Sequence, residues 1–423
     1  MIIFRSLFLL TLMVSSLSLT SQVKIKLDIE NHKDSTLYLY KYKSDNNYIL
    51  IDSTNSDKNF IKNDINYPEG IYVIANNKQN PLFEILLGKD QRFSVVIEEL
   101  MDINRYKIKG SKETSTYFDI YSKTYHNLIY IKALESEMKY FPHNARKIDS
   151  VKSTHNEYLK SMLSKDPTAF INTYIGFNTE IIVPQEYKDN QREYVMEHYF
   201  DNINFNDIRI LNSRLLKNKL DDYFDNIILE ESVELTCNKI DYILDRANDC
   251  QEVRDYILWN LYSRFFNPKD LKHEKTFIHL VDNYFSKMEI VNLTDNIRNE
   301  IIKRANVLKD ITIGSIIPNL SFTDKNGDNI SLEDIKSENV VIIFHKTDCA
   351  LCQKAMRILS LIKKRNKNIE IIDINITDET SNKDIIHRYN ITNVPSIFVL
   401  DKDRRIICKN IKAEEVEFYL KRK

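Results

Sequence analysis

The 423-residue sequence predicts a multidomain protein with an all-β domain, an all-α middle domain and a C-terminal α/β domain. The first part contains short runs in which apolar and polar residues alternate, as in half-buried strands. The middle part has apolar residues three and four positions apart, which is the helical spacing. In the last part, apolar strand-like runs alternate with helical patterns. Hydrophobic residues make up 43% of the chain, which is enough for more than one packed core.

Residues 1–21 have the pattern of a secretory signal peptide, with Arg5 ahead of a short apolar stretch that contains several serines. This stretch is shorter than the roughly 20 apolar residues that a membrane-spanning helix needs, so a membrane-anchored form is the weaker alternative. No cysteine follows it, and a lipid anchor is therefore not indicated. The sequence thus predicts export to the periplasm or another extracytoplasmic compartment, where disulfides form and persist.

Residues 22–111 are predicted to form a small β domain. Val23, Ile25, Leu27 and Ile29 alternate with polar neighbours, which is the pattern of a half-buried strand. Further strands are predicted at 36–40, 48–52, 60–65, 70–75, 82–87, 93–97 and 106–109. Their regular spacing favours a sandwich or a barrel. No catalytic group of side chains is recognisable in this domain, so we expect it to make contacts or bind a ligand.

Residues 112–308 are predicted to be a helical domain, in which prolines mark breaks between helices. The first long helix has one apolar and aromatic face. That face contains Tyr117, Ile120, Tyr121, Tyr125 and Leu128. Aromatic residues at this spacing can line a binding groove or pack between helices, and packing is the favoured interpretation. The last helix of the domain is predicted at 295–308.

The C-terminal domain, predicted at residues 309–423, contains the most informative motif, Cys349-Ala350-Leu351-Cys352. The motif follows the apolar run 340–344 and opens a helix with apolar residues at helical spacing. Because a helix N-terminus has unpaired N–H groups and a partial positive charge, it favours the thiolate of Cys349. Cys352 lies one turn further on, within reach of a sulfur bonded to Cys349. A redox-active pair is the favoured interpretation, and a zinc ligand pair or an inert pair are the alternatives.

The order of elements after this motif resembles that of a thioredoxin-type α/β fold. A second strand is predicted at 369–376 and a short helix at 383–389. Val394-Pro395 then leads into a strand at 396–400. A proline just before a strand is what this fold uses, in cis form, beside its active cysteines.

The other cysteines and the histidines do not indicate a metal site. A structural zinc site needs four ligands, whereas Cys237, Cys250 and Cys408 are isolated, and no histidines form a tight pair. A Cys237–Cys250 disulfide is disfavoured, because on consecutive antiparallel helices the two residues would lie about 15 Å apart. Cys408 is predicted to be a small buried residue of a late strand at 405–409. Because 60 Lys and Arg balance 61 Asp and Glu, no nucleic-acid partner is expected.

Several segments resemble a known family. Residues 314–322 and 330–334 resemble the segments ahead of the active strand in TlpA/ResA-like thiol-disulfide oxidoreductases of the thioredoxin fold. The whole chain resembles a multidomain version from Gram-negative bacteria, with an N-terminal β domain and a helical middle domain. Residues 68–72 and 198–205 are among the matching stretches in these two domains.

The resemblance implies roles for four residues. Cys349 would be the exposed nucleophile and Cys352 the resolving cysteine, which together form the redox-active disulfide. Pro395 would follow a cis peptide bond, and Val394 would present its backbone to an extended substrate segment. No cofactor and no metal are expected in this chemistry.

Three departures from the family pattern concern the chemistry of the pair. Asp348 replaces the usual Trp before the first cysteine, and its negative charge opposes formation of the Cys349 thiolate. We expect His345 and Lys346 to offset part of this effect. Ile343 stands where thioredoxins have a buried acid, so the sequence does not name a proton-transfer residue. The Ala-Leu dipeptide lacks both the His of strongly oxidising pairs and the Pro of the best reductants. The missing His, together with Asp348, argues against strong stabilisation of the thiolate. We therefore expect a reductase or an isomerase rather than a strong oxidant.

The sequence thus predicts an extracytoplasmic thiol-disulfide oxidoreductase that acts on disulfide-bearing protein substrates. The resemblance implies that its electrons come from a membrane thiol-disulfide donor. Two alternatives remain open. One is a thiol peroxidase, because peroxidases share this fold and Thr347 lies two residues before Cys349. The other is a non-enzymatic binding module with a vestigial redox domain.

Overall fold

The computed structural model describes residues 23–30, 36–44, 47–54, 59–76, 80–228, 231–323 and 329–421. The predicted signal peptide, residues 1–21, lies outside these described residues. The chain forms two compact units, Met1–Leu229 and Glu230–Lys423. The predicted helical domain 112–308 contributes helices to both units, and the limits of the three predicted domains stay a prediction.

The first unit begins with a β-sandwich. Its strands are β1 (Val23–Ile29), β2 (Tyr38–Ser44), β3 (Asn47–Ser53), β4 (Phe60–Asn63), β5 (Gly70–Ala75), β6 (Pro81–Leu87), β7 (Arg92–Ile97) and β8 (Tyr106–Lys109). They form two four-stranded sheets, with the orders β4-β1-β7-β8 and β3-β2-β5-β6. Strands β1 and β7 are parallel, and the other neighbours are antiparallel. The predicted all-β fold is therefore confirmed as a sandwich.

The alternation in the sequence explains the core of this sandwich. Every second residue of β1 is buried, whereas the residues between them are exposed or half-buried. Ile25 and Leu27 of the first sheet pack in one cluster with Leu39 and Ile74 of the second. The two sheets thus bury one apolar face each against the other, as expected for a two-layer β domain.

The sandwich is followed by helices, of which the first three pack against Ile71 and Leu86 on the outer face of the β3-β2-β5-β6 sheet. The helices are α1 (Lys112–Glu137), α2 (Asn144–Ser161), α3 (Phe170–Asn178), α4 (Gln191–His198) and α5 (Leu215–Asp222). Helix α1 begins after Ser111, whose hydroxyl accepts a hydrogen bond from the Thr114 N–H at 3.3 Å. Tyr117 and Ile120 then pack against Ile71 of β5 and residues of the neighbouring helices.

The prediction that the aromatic face of α1 serves packing is confirmed for Tyr117 and Ile120 and is wrong for the next turns. Tyr121 and Tyr125 are 44% and 51% exposed, and Leu128 is also exposed. The reason is that the sheet supports only the beginning of α1. Further along, the buried residues of α1 belong to a separate small cluster with α2.

The second unit starts with helices and ends with an α/β domain. Its helices before the sheet are α6 (Val233–Arg246), α7 (Gln251–Phe266), α8 (Glu274–Leu280) and α9 (Asp295–Ile311). The α/β domain consists of β9 (Ser321–Thr323), β10 (Asn329–Ser331), β11 (Asn339–His345), α10 (Ala350–Arg365), β12 (Ile369–Asn375), α11 (Lys383–Arg388), β13 (Ser396–Leu400), β14 (Ile406–Lys409) and α12 (Val416–Lys421). Among the described residues, none of the helices combines the length and the apolar composition needed to cross a membrane.

The α/β domain has the predicted thioredoxin fold. Its central sheet has the order β12-β11-β13-β14, in which β11 and β12 are parallel and the other pairs antiparallel. All residues of β11 are buried, which explains its unbroken apolar run. Val341 and Ile343 of β11 pack against Leu359 of α10 on one side of the sheet. On the other side, Phe344 lies 5.2 Å from Tyr389, measured between ring centroids.

A buried ion pair joins the helices of this unit to the edge of the sheet. Lys409 of β14 is 1% exposed, and its Nζ lies 2.7 Å from Oε2 of Glu274 at the start of α8. Removing one partner of such a pair leaves a buried charge without compensation. The helical segment before the sheet is therefore held to β14 by a contact that depends on both residues.

Candidate redox site

Strand β11 and helix α10 place Cys349 at the edge of the sheet. The strand ends at His345, and the polar segment 346–348 turns the chain into α10. Cys349 is the N-cap residue of this helix and has an extended backbone. The N–H of Cys352 donates a hydrogen bond to Sγ of Cys349 at 3.0 Å. The sulfur thus lies where an unpaired helix N–H and the positive end of the helix dipole stabilise negative charge.

Cys349 and Cys352 form a disulfide, with their Cα atoms 5.2 Å apart. The two residues differ in their access to solvent. Cys349 is half-buried, whereas Cys352, in the first turn of α10, is completely buried. A thiol from another molecule can therefore approach the pair through Cys349 alone.

Val394 and Pro395 lie at the same end of the sheet. The peptide bond between them is cis. In the pairing of β11 with β13, Ser396 is opposite Phe344, so Pro395 comes beside the end of β11. Both Val394 and Pro395 are half-buried. The four site residues named by the family resemblance are thus collected at the C-terminal end of β11.

Hydrogen bonds to β12 and the loop after it hold the segment ahead of Cys349. The Thr347 N–H donates to Oγ1 of Thr377 at 2.8 Å, and the side-chain amide of Asn375 donates to Oγ1 of Thr347 at 3.1 Å. Lys346 forms an ion pair with Glu379. Thr347, the residue behind the peroxidase alternative, thus uses its hydroxyl to fix this loop, while Asp348 next to it is exposed.

His345 is a feature of this site that sequence reasoning used only as a source of charge. The residue is buried, and its Nδ1 has no hydrogen-bond partner among the described residues. Because side chains alternate along a strand, His345 lies on the same side of β11 as Val341 and Ile343, which face α10. The sequence contains a sign of this placement, because His345 continues the alternating series of Val341 and Ile343 towards the cysteine pair.

The other cysteines lie in different surroundings. Cys237, Cys250 and Cys408 are free and buried, so the structure contains no Cys237–Cys250 bond within its described residues. Burial raises the pKa of the Cys408 thiol to about 12 and that of Cys237 to about 11. Across the described ranges, no group of three or more His, Cys, Asp or Glu could hold a metal ion.

Comparison with known proteins agrees with this geometry. The sequence model described as the AhpC/TSA family matches residues 313–413. A second one, described as a domain of unknown function (DUF5106), matches residues 143–307. The thiol-disulfide oxidoreductase ResA of Bacillus thuringiensis subsp. konkukian is 31% identical over 26% of this chain and 78% of that protein. ResA of Bacillus anthracis is 30% identical over the same shares of the two chains.

Solved structures with similarity to this chain include one from Bacteroides caccae and one from Cytophaga hutchinsonii. A thioredoxin-like protein from Bacteroides caccae has 18% identity and a TM-score of 0.46, covering 56% of this chain and 96% of that one. A domain of a possible thiol-disulfide isomerase from Cytophaga hutchinsonii has 25% identity and a TM-score of 0.23, covering 26% and 92%.

Fold and site define a thioredoxin-fold protein of the thiol-disulfide oxidoreductase class. The strand, the Cys-x-x-Cys pair, the helix and the cis-proline strand occur in that order along the C-terminal domain. Through this domain the chain belongs to the ResA-like family of thiol-disulfide oxidoreductases, which confirms the predicted resemblance.

Proposed function

We propose that this protein is an extracytoplasmic oxidoreductase that reduces or isomerises protein disulfides through Cys349 and Cys352. The observation that supports this most directly is the unequal access of the two sulfurs at the N-terminus of α10. An accessible first sulfur and an enclosed second one suit a pair in which one residue meets the substrate and the other resolves the intermediate.

In the reductive direction, the thiolate of Cys349 attacks one sulfur of a substrate disulfide. A mixed disulfide forms, and the other substrate sulfur leaves as a thiolate. Cys352 then gives up its proton and attacks Sγ of Cys349. The Cys349–Cys352 disulfide forms, and the second substrate sulfur leaves as a thiolate. The substrate has gained the two electrons that the dithiol has lost.

The proton of Cys352 needs an acceptor inside the protein, because this residue is completely buried. We assign this role to His345, whose buried Nδ1 has no partner among the described residues. Its place on the side of β11 that faces α10 supports the assignment. Val394 is assigned the role of pairing its backbone with an extended substrate segment, with Pro395 shaping that surface.

The location and the electron donor belong to the same proposal. The signal-like pattern of residues 1–21 favours export. A reductase in an oxidising compartment must be reduced again after each cycle, and a membrane thiol-disulfide donor is the class of partner that we propose. We further propose that the β domain, residues 22–111, and the helical domain, residues 112–308, select partners for the redox domain at 309–423.

The first experiment is a redox titration of the purified protein in graded dithiothreitol and glutathione buffers, read by thiol labelling. We expect one cooperative two-thiol transition below about −200 mV, which the Cys349→Ser variant lacks. A potential near −120 mV would instead make the protein an oxidant. Absence of any transition would favour the binding-module alternative. Consumption of hydrogen peroxide that disappears in Cys349→Ser would favour the peroxidase.

A further inference from the structure

The first unit contains a cavity of about 440 Å³ between the outer face of the β3-β2-β5-β6 sheet, helix α1 and the segment 100–106. We call it the aromatic cavity. Its aromatic lining includes Tyr42, Phe83, Tyr106, Tyr117, Tyr121 and Tyr125. This volume lies within the range of small-molecule sites, which is about 300–1,000 Å³.

Helix α1 supplies a graded wall of tyrosines to this cavity. Tyr117 is buried at its inner end, and the exposed residues Tyr121 and Tyr125 follow one turn apart. The rings of Tyr121 and Tyr125 are nearly parallel, at 6° with centroids 6.5 Å apart. A row of aromatic faces that is open to solvent at one end attracts cations through its negative quadrupole.

Glu84 is the single carboxylate or basic group among the residues that line the aromatic cavity. The Tyr42 hydroxyl donates to Oε1 of Glu84, and the Tyr117 hydroxyl donates to Oε2 at 3.4 Å. No Lys, Arg or His of the described chain lies within ion-pair distance of Glu84. The guanidinium of Arg214 lies 5.6 Å from the ring centre of Tyr42, and Arg214 is not among the residues that line the cavity.

The negative charge of Glu84 is felt along the wall of the cavity. Burial raises the pKa values of Tyr42, Tyr117 and Tyr121, and the charge of Glu84 raises each of them further. The positive charge of Arg214 lowers the pKa of Tyr42, but less than burial and Glu84 raise it. The cavity thus combines aromatic faces with a negative potential.

We propose that the aromatic cavity binds a small organic cation of the quaternary ammonium class. A neutral apolar ligand would cover the Glu84 carboxylate without a counter-charge, and an anion would be repelled. A primary ammonium needs partners for three N–H donors, whereas Tyr42 and Tyr117 are already directed to Glu84 and Tyr106 to the Leu100 carbonyl. A trimethylammonium group needs no hydrogen-bond acceptor, and its methyl groups pack against the rings.

The test compares two ligands of the same shape on the full chain. Choline contains a trimethylammonium group, and 3,3-dimethylbutan-1-ol replaces its nitrogen with a neutral carbon. Affinities are measured by ligand-observed NMR titration. We expect choline to bind at least about tenfold more tightly than the neutral alcohol. Equal affinities, or binding of neither ligand in the millimolar range, would overturn the proposal.

Variants locate the binding. Glu84→Gln keeps an acceptor for the tyrosine hydroxyls and removes the charge, so choline binding should weaken about tenfold while the alcohol is unaffected. Tyr125→Leu should also weaken choline binding. Its matched control is Tyr130→Leu on the same helix, because Tyr130 is 50% exposed and lies outside the cavity lining. Equal losses in the two tyrosine variants would place the cation elsewhere and contradict the proposal, even if Glu84→Gln does not fold.

Discussion

Two regions of the α/β domain contain cysteine, and they differ in what surrounds the sulfur. At the N-terminus of α10, Cys349 is half-buried, and its Sγ accepts a hydrogen bond from the Cys352 N–H. At the sheet edge, Cys408 of β14 lies opposite Val399 and packs in the apolar cluster that includes Val341. Burial raises the pKa of its thiol to about 12, and the charge of Glu415 acts in the same direction.

Burial alone does not separate the two regions. Cys352 is 0% exposed and Cys408 is 3% exposed, so both are closed to solvent. The difference is that Cys352 lies beside a second sulfur in the first turn of a helix, whereas Cys408 is free. Of these two buried cysteines, only Cys352 therefore has a neighbouring cysteine through which an external disulfide can reach it.

The largest expected effect comes from removing one buried sulfur from each region. Cys352→Ser should lower the turnover of a disulfide-bonded protein substrate by roughly a thousandfold, because the mixed disulfide with Cys349 cannot be resolved. Cys408→Ala should leave turnover within about twofold, although it should cost about 1 kcal/mol of unfolding free energy. Turnover is followed by thiol release, and the trapped complex by gel electrophoresis with and without dithiothreitol.

The comparison fails if the Cys408 variant loses turnover while it remains folded. It also fails if Cys352→Ser is active and accumulates no dithiothreitol-sensitive complex with the substrate. Thermal unfolding of both variants serves as the control for folding.

An effect of comparable size is expected in the alkylation of the free thiols. At pH 8, Cys408 should react with iodoacetamide roughly a thousandfold more slowly than an unperturbed thiol, because its pKa is raised to about 12 and little thiolate is present. Cys237, with a pKa raised to about 11, should be the faster of these two. Peptide mass spectrometry of the reduced native protein measures the rates, with the denatured protein as the control.

The same pKa shifts have a consequence for stability. Both thiols hold their protons more tightly in the folded than in the unfolded chain. The unfolded chain therefore ionises first as the pH rises above about 8.5, and the folded state should lose stability from there towards pH 12. Rapid labelling of Cys408 at pH 8, or stability that increases over this interval, would contradict the description of the sheet-edge region.

Local patterns explain why much of this fold was predictable. The strands at Gly70–Ala75, Tyr106–Lys109 and Ser396–Leu400 were predicted with the bounds that the structure has. Alternation and apolar runs are properties of neighbouring residues, so the sequence displays them directly. The cysteine motif is equally local, and the structure adds that Pro395 lies at the same end of the sheet.

The features that escaped prediction depend on distant residues. Helical spacing placed Tyr121 and Tyr125 on the same face as Tyr117. It does not show how far along α1 the sheet packs against the helix. The aromatic cavity arises because that packing ends, and its carboxylate comes from β6. The missing partner of His345 Nδ1 is likewise visible only once the strands and α10 are packed around it.

The smallest expected effect concerns Asp348, the exposed residue before Cys349. Its charge opposes the developing thiolate, but through water the interaction is worth only about 0.5–1 kcal/mol. Asp348→Asn should therefore accelerate reaction of reduced Cys349 with a small disulfide about twofold to fivefold at low ionic strength. In about 1 M salt, where the screening length is about 3 Å, the difference should nearly vanish.

The matched control is Asp403→Asn, which changes an exposed carboxylate after β13 at the opposite end of the sheet. If both variants react equally fast at low salt, net charge and not the position beside Cys349 governs the rate. If Asp348→Asn is slower than the parent, Asp348 assists the thiolate, and the polar loop rather than the helix N-terminus distinguishes Cys349 from Cys408.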